Sequence, residues 1–277
     1  MVRRAFLVLL ALVWLGRPVV AAPVTPWETT GHFTTMAQLA EFLHGLSSRG
    51  SWKVSVQSAG QSSIEHKPIW AVRLTPPSPE LKVMILARVH GNEPAATESA
   101  LTLIRDIVSD QGDKAGMYRQ CEFLVVPCLN PEGAEKAQAE ADGNDGWWGS
   151  LGRDNDEELD INRDYLRLST SEARTAVALY NNFQPSLVMD LHEFESRPLV
   201  AGDGWWRAEY WDLLIGAGRA PWASPALRTY CRTVAQDVLF PKLDGQGVRT
   251  EYYMLPSGSF DSSMHFASNA ADYFLVR

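Results

Sequence analysis

Apolar positions change their period several times along this chain, and each change marks an element. Met36, Leu39, Ala40, Phe42, Leu43 and Leu46 recur at helical spacing, which predicts a helix over 34–46. Residues 52–57 alternate and read as a strand. Residues 58–67 are polar and turn-like, and 69–74 read as the returning strand of a hairpin. Residues 81–89 form an almost continuous apolar strand, interrupted by Lys82 and Arg88, that ends at His90-Gly91-Asn92-Glu93-Pro94; a helix over 95–108 follows. A second buried strand over 122–127 ends at Cys128-Leu129-Asn130-Pro131-Glu132-Gly133. After a polar loop over 141–161, Ser169 and Glu172 form a capping box that opens a helix to about 181. A third buried strand over 186–191 ends at His192; a tryptophan-rich stretch and a helix over 225–240 complete the pattern. Strands alternating with helices predict an α/β fold, a mixed and mostly parallel sheet flanked by helices. With no linker, repeat or low-complexity tract, residues 22–277 are expected to form one domain.

Composition changes the picture mainly at the start of the chain. Arg3 and Arg4 precede an unbroken apolar run of eleven residues, and small residues follow to Ala22. That is the layout of a secretory signal peptide over 1–21, with a run too short to span a bilayer. The remainder is expected to be exported, to the periplasm or the medium, and to act as a monomer without a membrane anchor. Losing the leader removes three arginines and no acid, so the net charge moves from −8 to −11. Such an acidic chain offers no basic patch for nucleic acid. Of the three cysteines, Cys121 and Cys128 bracket one strand and would lie about 23 Å apart if extended, beyond disulfide reach. Either can pair with Cys231, or all can be buried thiols; no Cys-x-x-Cys pattern suggests a structural zinc.

The candidate chemistry sits where the strands end, the usual place for functional groups in open α/β sheets. His90 and His192 each close a strand, and Glu93 follows His90 by three residues. Two imidazoles and one carboxylate leave a fourth zinc position open, the pattern of a catalytic site. Asp190 shares a strand face with His192 and can orient it, or can instead cap loop amides. Asn162-Arg163 offers a planar fork of donors suited to a carboxylate. Composition alone favours a surface ion pair of Arg163 with Asp160 or Asp164.

Taken in order, these segments resemble the zinc metallocarboxypeptidases, bacterial exported members in particular, from about residue 34 to the C-terminus. Ser58-Ala59-Gly60-Gln61-Ser62 is similar to the family's early Gly-x-Ser turn, and residues 87–94 to its first zinc motif. Asn130-Pro131-Glu132-Gly133 is similar to its Asn-Pro-Asp-Gly loop, with Glu132 for the usual aspartate, and Asp190-Leu191-His192-Glu193 to its third-ligand motif. The resemblance implies a carboxypeptidase-like fold and one Zn2+ held by His90, Glu93 and His192. It implies a substrate carboxylate gripped by Asn162 and Arg163, an oxyanion stabilised by Arg153, and a mobile substrate-closing tyrosine at Tyr253, with Tyr252 as its competitor. The implied activity is hydrolysis of a peptide bond near a free C-terminal carboxylate.

One part of the family pattern is missing. The general-base glutamate belongs on a late strand after the tyrosine loop, yet the last glutamate here is Glu251 and the chain ends Phe274-Leu275-Val276-Arg277. Glu193 and Asp272 remain as substitute bases. The domain is therefore expected to be C-terminally incomplete, a fragment of an active enzyme, or else a short form that binds zinc and carboxylates without cutting well. A deacylase of N-acyl amino acids is the other enzymatic reading. Phe260 argues against a pocket for basic side chains, and Trp147, Trp148, Trp205, Trp206 and Trp211 either line a cleft or pack.

Overall fold

The computed structural model describes residues 22–46, 51–110, 114–143, 151–193, 212–215 and 224–252. The expected leader, Tyr253, Phe260, Asp272 and the five tryptophans just named lie outside them. In chain order the elements are α1 (Pro26–Thr30), α2 (Met36–His44), β1 (Lys53–Gln61), β2 (Pro68–Thr75), β3 (Leu81–Ala87), α3 (Pro94–Ser109), α4 (Ala115–Tyr118), β4 (Cys121–Val126), α5 (Pro131–Gly143), α6 (Ser171–Phe183) and β5 (Leu187–Leu191). They continue with β6 (Leu213–Ile215), α7 (Pro225–Val234), α8 (Phe240–Asp244) and β7 (Thr250–Tyr252), and a π-helical turn over Ala235–Leu239 joins α7 to α8. Among the described residues no helix is long and apolar enough to cross a membrane.

Five strands form one sheet in the order β1-β2-β4-β3-β5. The β1–β2 hairpin and the β2–β4 pair are antiparallel, whereas β3 runs parallel to both β4 and β5. The sheet is thus mixed, and its parallel half carries the strand ends of interest. Alternation along the strands sorts the core into two layers. Val83, Ile85, Phe123 and Val125 face Leu43 of α2 and Leu101 and Ile104 of α3. Met84, Leu86, Leu124 and Val126 face Ala176, Val177 and Phe183 of α6. Helices on both faces bury β3 and β4, the arrangement expected when parallel strands read as continuous apolar runs; β5, expected to be buried as well, lies at the end of the sheet among the described residues and leaves Leu187 and Met189 exposed.

Several boundaries differ from the expected ones, each for a local reason. The hairpin runs on to Gln61 because a bulge between Ser58 and Gly60 absorbs Ala59. At Gly60 a side chain would collide with Thr175 of α6, so the bare backbone lets helix and hairpin meet. The helix expected from a Ser169–Glu172 capping box starts one residue later. Thr170 is its N-cap and accepts from the Ala173 amide, while Glu172 is buried and accepts from the Ser63 amide and hydroxyl. Helix α5 fills a stretch after Gly133 for which the sequence pattern predicts no element, and its last three residues fall in the expected loop over 141–161. Cys121, Cys128 and Cys231 are all free thiols.

Candidate metal centre

The three parallel strands end in register, Leu86 beside Val126 and Ala87 beside Leu191, so the segments that follow emerge at one edge. Strand β3 stops two residues short of the expected Val89 because Arg88 turns into the left-handed region at φ 53°, a conformation that costs a side-chain-bearing residue roughly 1–2 kcal/mol. The buried Arg88 secures the turn by donating Nε to the Gly91 carbonyl at 2.8 Å. This bend directs His90 and Glu93 across the sheet edge toward His192.

The neighbouring loops are locked to that turn. Asn130 donates its amide to the Arg88 carbonyl at 3.1 Å. Its side chain accepts from the Gly133 amide at 2.9 Å, the capping contact for a helix opened by Pro131. Its Nδ2 reaches the carbonyls of Arg153 and Asp154 at 3.3 and 3.2 Å. Three glycines bring the same backbones into direct contact. A side chain at Gly91 would strike Gly133, one at Gly133 would strike the Gly152 carbonyl, and one at Gly152 would strike the Gly133 carbonyl. The buried Glu132 accepts from the Ser62 hydroxyl at 2.5 Å and from the amides of Ile64 and Glu65 at 3.0 and 2.5 Å, which ties the hairpin tip to this stack.

On this frame the two histidines meet the glutamate. His90 Nδ1 lies 2.6 Å from Glu93 Oε1 and His192 Nδ1 lies 2.8 Å from Glu93 Oε2, with ring centroids 4.8 Å apart. One potential ligand atom from each of the three residues falls within 4.8 Å of the others. Each imidazole turns its far nitrogen to an aspartate: His90 Nε2 is 3.3 Å from Asp160 Oδ1, and His192 Nε2 is 3.1 Å from Asp190 Oδ2. His90 and Glu93 are buried, while the His192 side chain is 31 % exposed, so the cluster opens on one side.

Electrostatics mark the cluster as a place for a cation. Burial opposes the charge of Glu93, but hydrogen bonds and charge from His192 and His90 outweigh it and hold the carboxyl down at about 2. Burial likewise opposes a charged His192, yet Asp190 and then Glu93 raise it to about 11. Asp160 is held well below the carboxylate range: hydrogen bonding and charge from His90, then the charges of Arg153 and Arg163, overcome its desolvation. Three carboxylates therefore converge on two imidazoles, with the Arg153 guanidinium also in hydrogen-bond contact with the cluster. A divalent ion fits both the donor set and the charge.

Arg153 lies beside the cluster, Nη1 3.3 Å from His90 Nδ1 and Nη2 2.9 Å from Asp160 Oδ2. Asn162 and Arg163 sit in a 3-10 turn over Ile161–Arg163 whose N-cap is Asp160. Asn162 is buried with Nδ2 3.1 Å from His192 Nε2. Arg163 is exposed and donates Nη1 to the Asn162 carbonyl at 2.9 Å. Among the described residues it forms no ion pair with Asp160 or Asp164, the arrangement that composition favours. From the sequence, Asp160 stands out only as a possible partner of Arg163; its place two residues before Asn162, like Asp190 two before His192, is the signal available.

Asp164 holds that turn. Its carboxylate accepts from the amides and hydroxyls of both Ser169 and Thr170, at 2.6 to 3.1 Å. Burial works against its charge, but these bonds keep it below its ordinary range. Replacement by asparagine is expected to cost about 1–3 kcal/mol at neutral pH. Because the folded value is depressed, the contribution is complete above the unfolded value of about 3.9 and is lost as pH falls through the folded one. Urea unfolding of both proteins from pH 7 to pH 3 checks this: the stability difference should shrink with acid, and a constant difference contradicts it.

The comparisons with known proteins agree with this geometry. A family model described as zinc carboxypeptidase matches residues 39–197, more than half of the chain. Carboxypeptidase 2 of Trichophyton rubrum is 32% identical over 137 residues, a match covering 50% of this chain and 21% of that protein. Carboxypeptidase D of Rattus norvegicus is 28% identical over 168 residues, covering 51% of this chain and 12% of that one. The matched segment thus spans only a small part of these relatives' length. Among solved structures, thrombin activatable fibrinolysis inhibitor superposes with a TM-score of 0.66 at 12% identity, covering 92% of this chain and 68% of its own. A metallo-carboxypeptidase from Burkholderia cenocepacia does so with a TM-score of 0.58 at 19% identity, covering 87% of this chain and 56% of that one. At such identities the likeness concerns the fold, and it matches a mixed sheet flanked by helices. With the family model matching the segment that holds both histidines and the glutamate, the chain belongs to the zinc carboxypeptidase family.

Proposed function

We propose that His90, Glu93 and His192 form the zinc site of a metallocarboxypeptidase that hydrolyses a peptide bond beside a free C-terminal carboxylate. The observation that carries this reading is the convergence of two imidazole nitrogens on one carboxylate at the open edge of the sheet. A zinc ion there would supply Lewis acidity toward water and the scissile carbonyl. The remaining roles belong to side chains. Arg153, 44% exposed beside His90, can donate to charge developing on the carbonyl oxygen. The exposed Arg163 fork and the Asn162 amide can hold the substrate's terminal carboxylate and so set the bond to be cut. Among the described residues, Glu93, Asp160 and Asp190 are engaged with the histidines, and Glu193 accepts from the Ala95 amide at 3.0 Å. None of them is assigned as the general base.

The test compares peptides with free and amidated C-termini, with and without a chelator, in the wild type and in Arg163→Ala. Free peptides should be cut in a chelator-sensitive way. Amidation or loss of Arg163 should each lower kcat/KM by roughly 100-fold, the worth of about two charge-assisted hydrogen bonds. Equal cutting of free and amidated peptides sinks the carboxylate grip. Stoichiometric zinc without turnover on any peptide sinks the enzyme reading and leaves a zinc- and carboxylate-binding protein. Faster turnover of N-acyl amino acids than of peptides reassigns the substrate.

A further inference from the structure

We infer that Asp190 is a positioning residue for His192: it holds the ring so that Nδ1 is presented to the metal. The inference rests on the zinc reading above.

Asp190 is an unexpected residue for its place. It lies within β5, in register with the buried Leu86 of β3, and its side chain is 6% exposed. A carboxylate so placed is unfavourable unless something pairs with it. Its Oδ2 meets His192 Nε2 at 3.1 Å, and its Oδ1 is buried with no hydrogen-bond partner among the described residues. Capping of loop amides, the structural role that the sequence allows, is therefore not what this side chain does. Strand alternation supplies the reach, since residues two apart share a face.

The two aspartates behind the histidines are not equivalent. Asp160 divides itself among His90, the Arg153 guanidinium and the Asn162 backbone amide. Asp190 has His192 alone among the hydrogen bonds of the described residues. An imidazole that donates Nε2–H to a carboxylate keeps its lone pair on Nδ1 and becomes a better ligand, the general effect of an outer-sphere carboxylate on a metal-bound histidine.

The experiment measures zinc binding directly, so that it does not depend on turnover. The full chain, stripped of metal, is titrated with zinc against a chromophoric chelator in four forms: wild type, Asp190→Ala, Asp190→Asn and, as a control on the outer face of α2, Glu41→Ala. Asp190→Ala should bind zinc about 10- to 100-fold more weakly. Asp190→Asn keeps an acceptor but drops the charge, and should fall between; it also serves if the alanine variant does not fold. The control should match wild type. In the cobalt-loaded protein the visible bands should shift in both Asp190 variants and not in the control. If the Asp190 variants melt earlier but bind zinc within about threefold of a fully loading wild type, the residue is structural only and the inference is wrong. A wild type that takes up no zinc overturns the proposed function itself, and the inference with it.

Discussion

Glu93→Ala should lose zinc and any metal-dependent turnover together. Among the described residues Glu93 is the one side chain hydrogen-bonded to both histidines, at 2.6 and 2.8 Å, and its Oε2 also accepts from the Glu193 amide at 3.1 Å. Removing it deletes one of the three proposed ligands, and it leaves two rings that face each other without the carboxylate between them. The loss of affinity should therefore exceed the roughly 10- to 100-fold that outer-sphere partners are worth. The readout need not be activity. A bound metal raises stability by RT ln(1 + [L]/Kd), about 4 kcal/mol at a thousandfold excess over Kd. The wild type should show a zinc-dependent rise in melting temperature and Glu93→Ala none. An equal rise in both places the metal elsewhere.

Gly133→Ala should be a severely damaging single-methyl change. The added carbon would meet the Gly152 carbonyl, the Asn130 side-chain amide at 2.5 Å and the Asp154 carbonyl at 2.7 Å, two of the three being backbone. Backbone cannot rotate away as the end of a flexible side chain can. Overpacking of this kind costs about 3 kcal/mol or more. The damage should also be directional, because the loops forced apart carry His90 on one side and Arg153 on the other. Denaturant unfolding together with zinc affinity separates this from ordinary destabilisation. A control such as Gly116→Ala, where nothing lies within 4 Å, should change neither. If Gly133→Ala matches that control, the glycine stack does not hold the site together.

How much of this was legible in the sequence follows from which forces act locally. Strands β3 and β4 were, because a strand buried on both faces must be apolar along its whole length; β5 was legible from the same apolar run and its closing histidine, although it lies at the end of the sheet with Leu187 and Met189 exposed. The ends were less so. Arg88 terminates β3 through its backbone conformation, and nothing in an apolar pattern marks a left-handed residue. Helix α5 escaped because its core-facing positions, Ala134, Ala137 and Ala141, are small, so it shows no broad apolar stripe. Small residues are what the close approach to Gly91 demands, and Asn130-Pro131 was the readable signal, a capping side chain followed by proline. The α6 cap moved by one residue because Glu172 is drawn to Ser63, 109 positions away. Contacts of that range decide the site as well. Asp160 and Asp190 acquire their meaning only when the fold brings them behind the two imidazoles.

The central claim is that His90, Glu93 and His192 hold one zinc ion, and X-ray absorption at the zinc edge of the loaded full chain tests it most directly. The account predicts one zinc per chain with only nitrogen and oxygen neighbours at about 2.0–2.2 Å and the outer-shell scattering of two imidazoles. A sulfur shell at about 2.3 Å, which would draw in Cys121, Cys128 or Cys231, or a spectrum unchanged in His192→Ala, would contradict it.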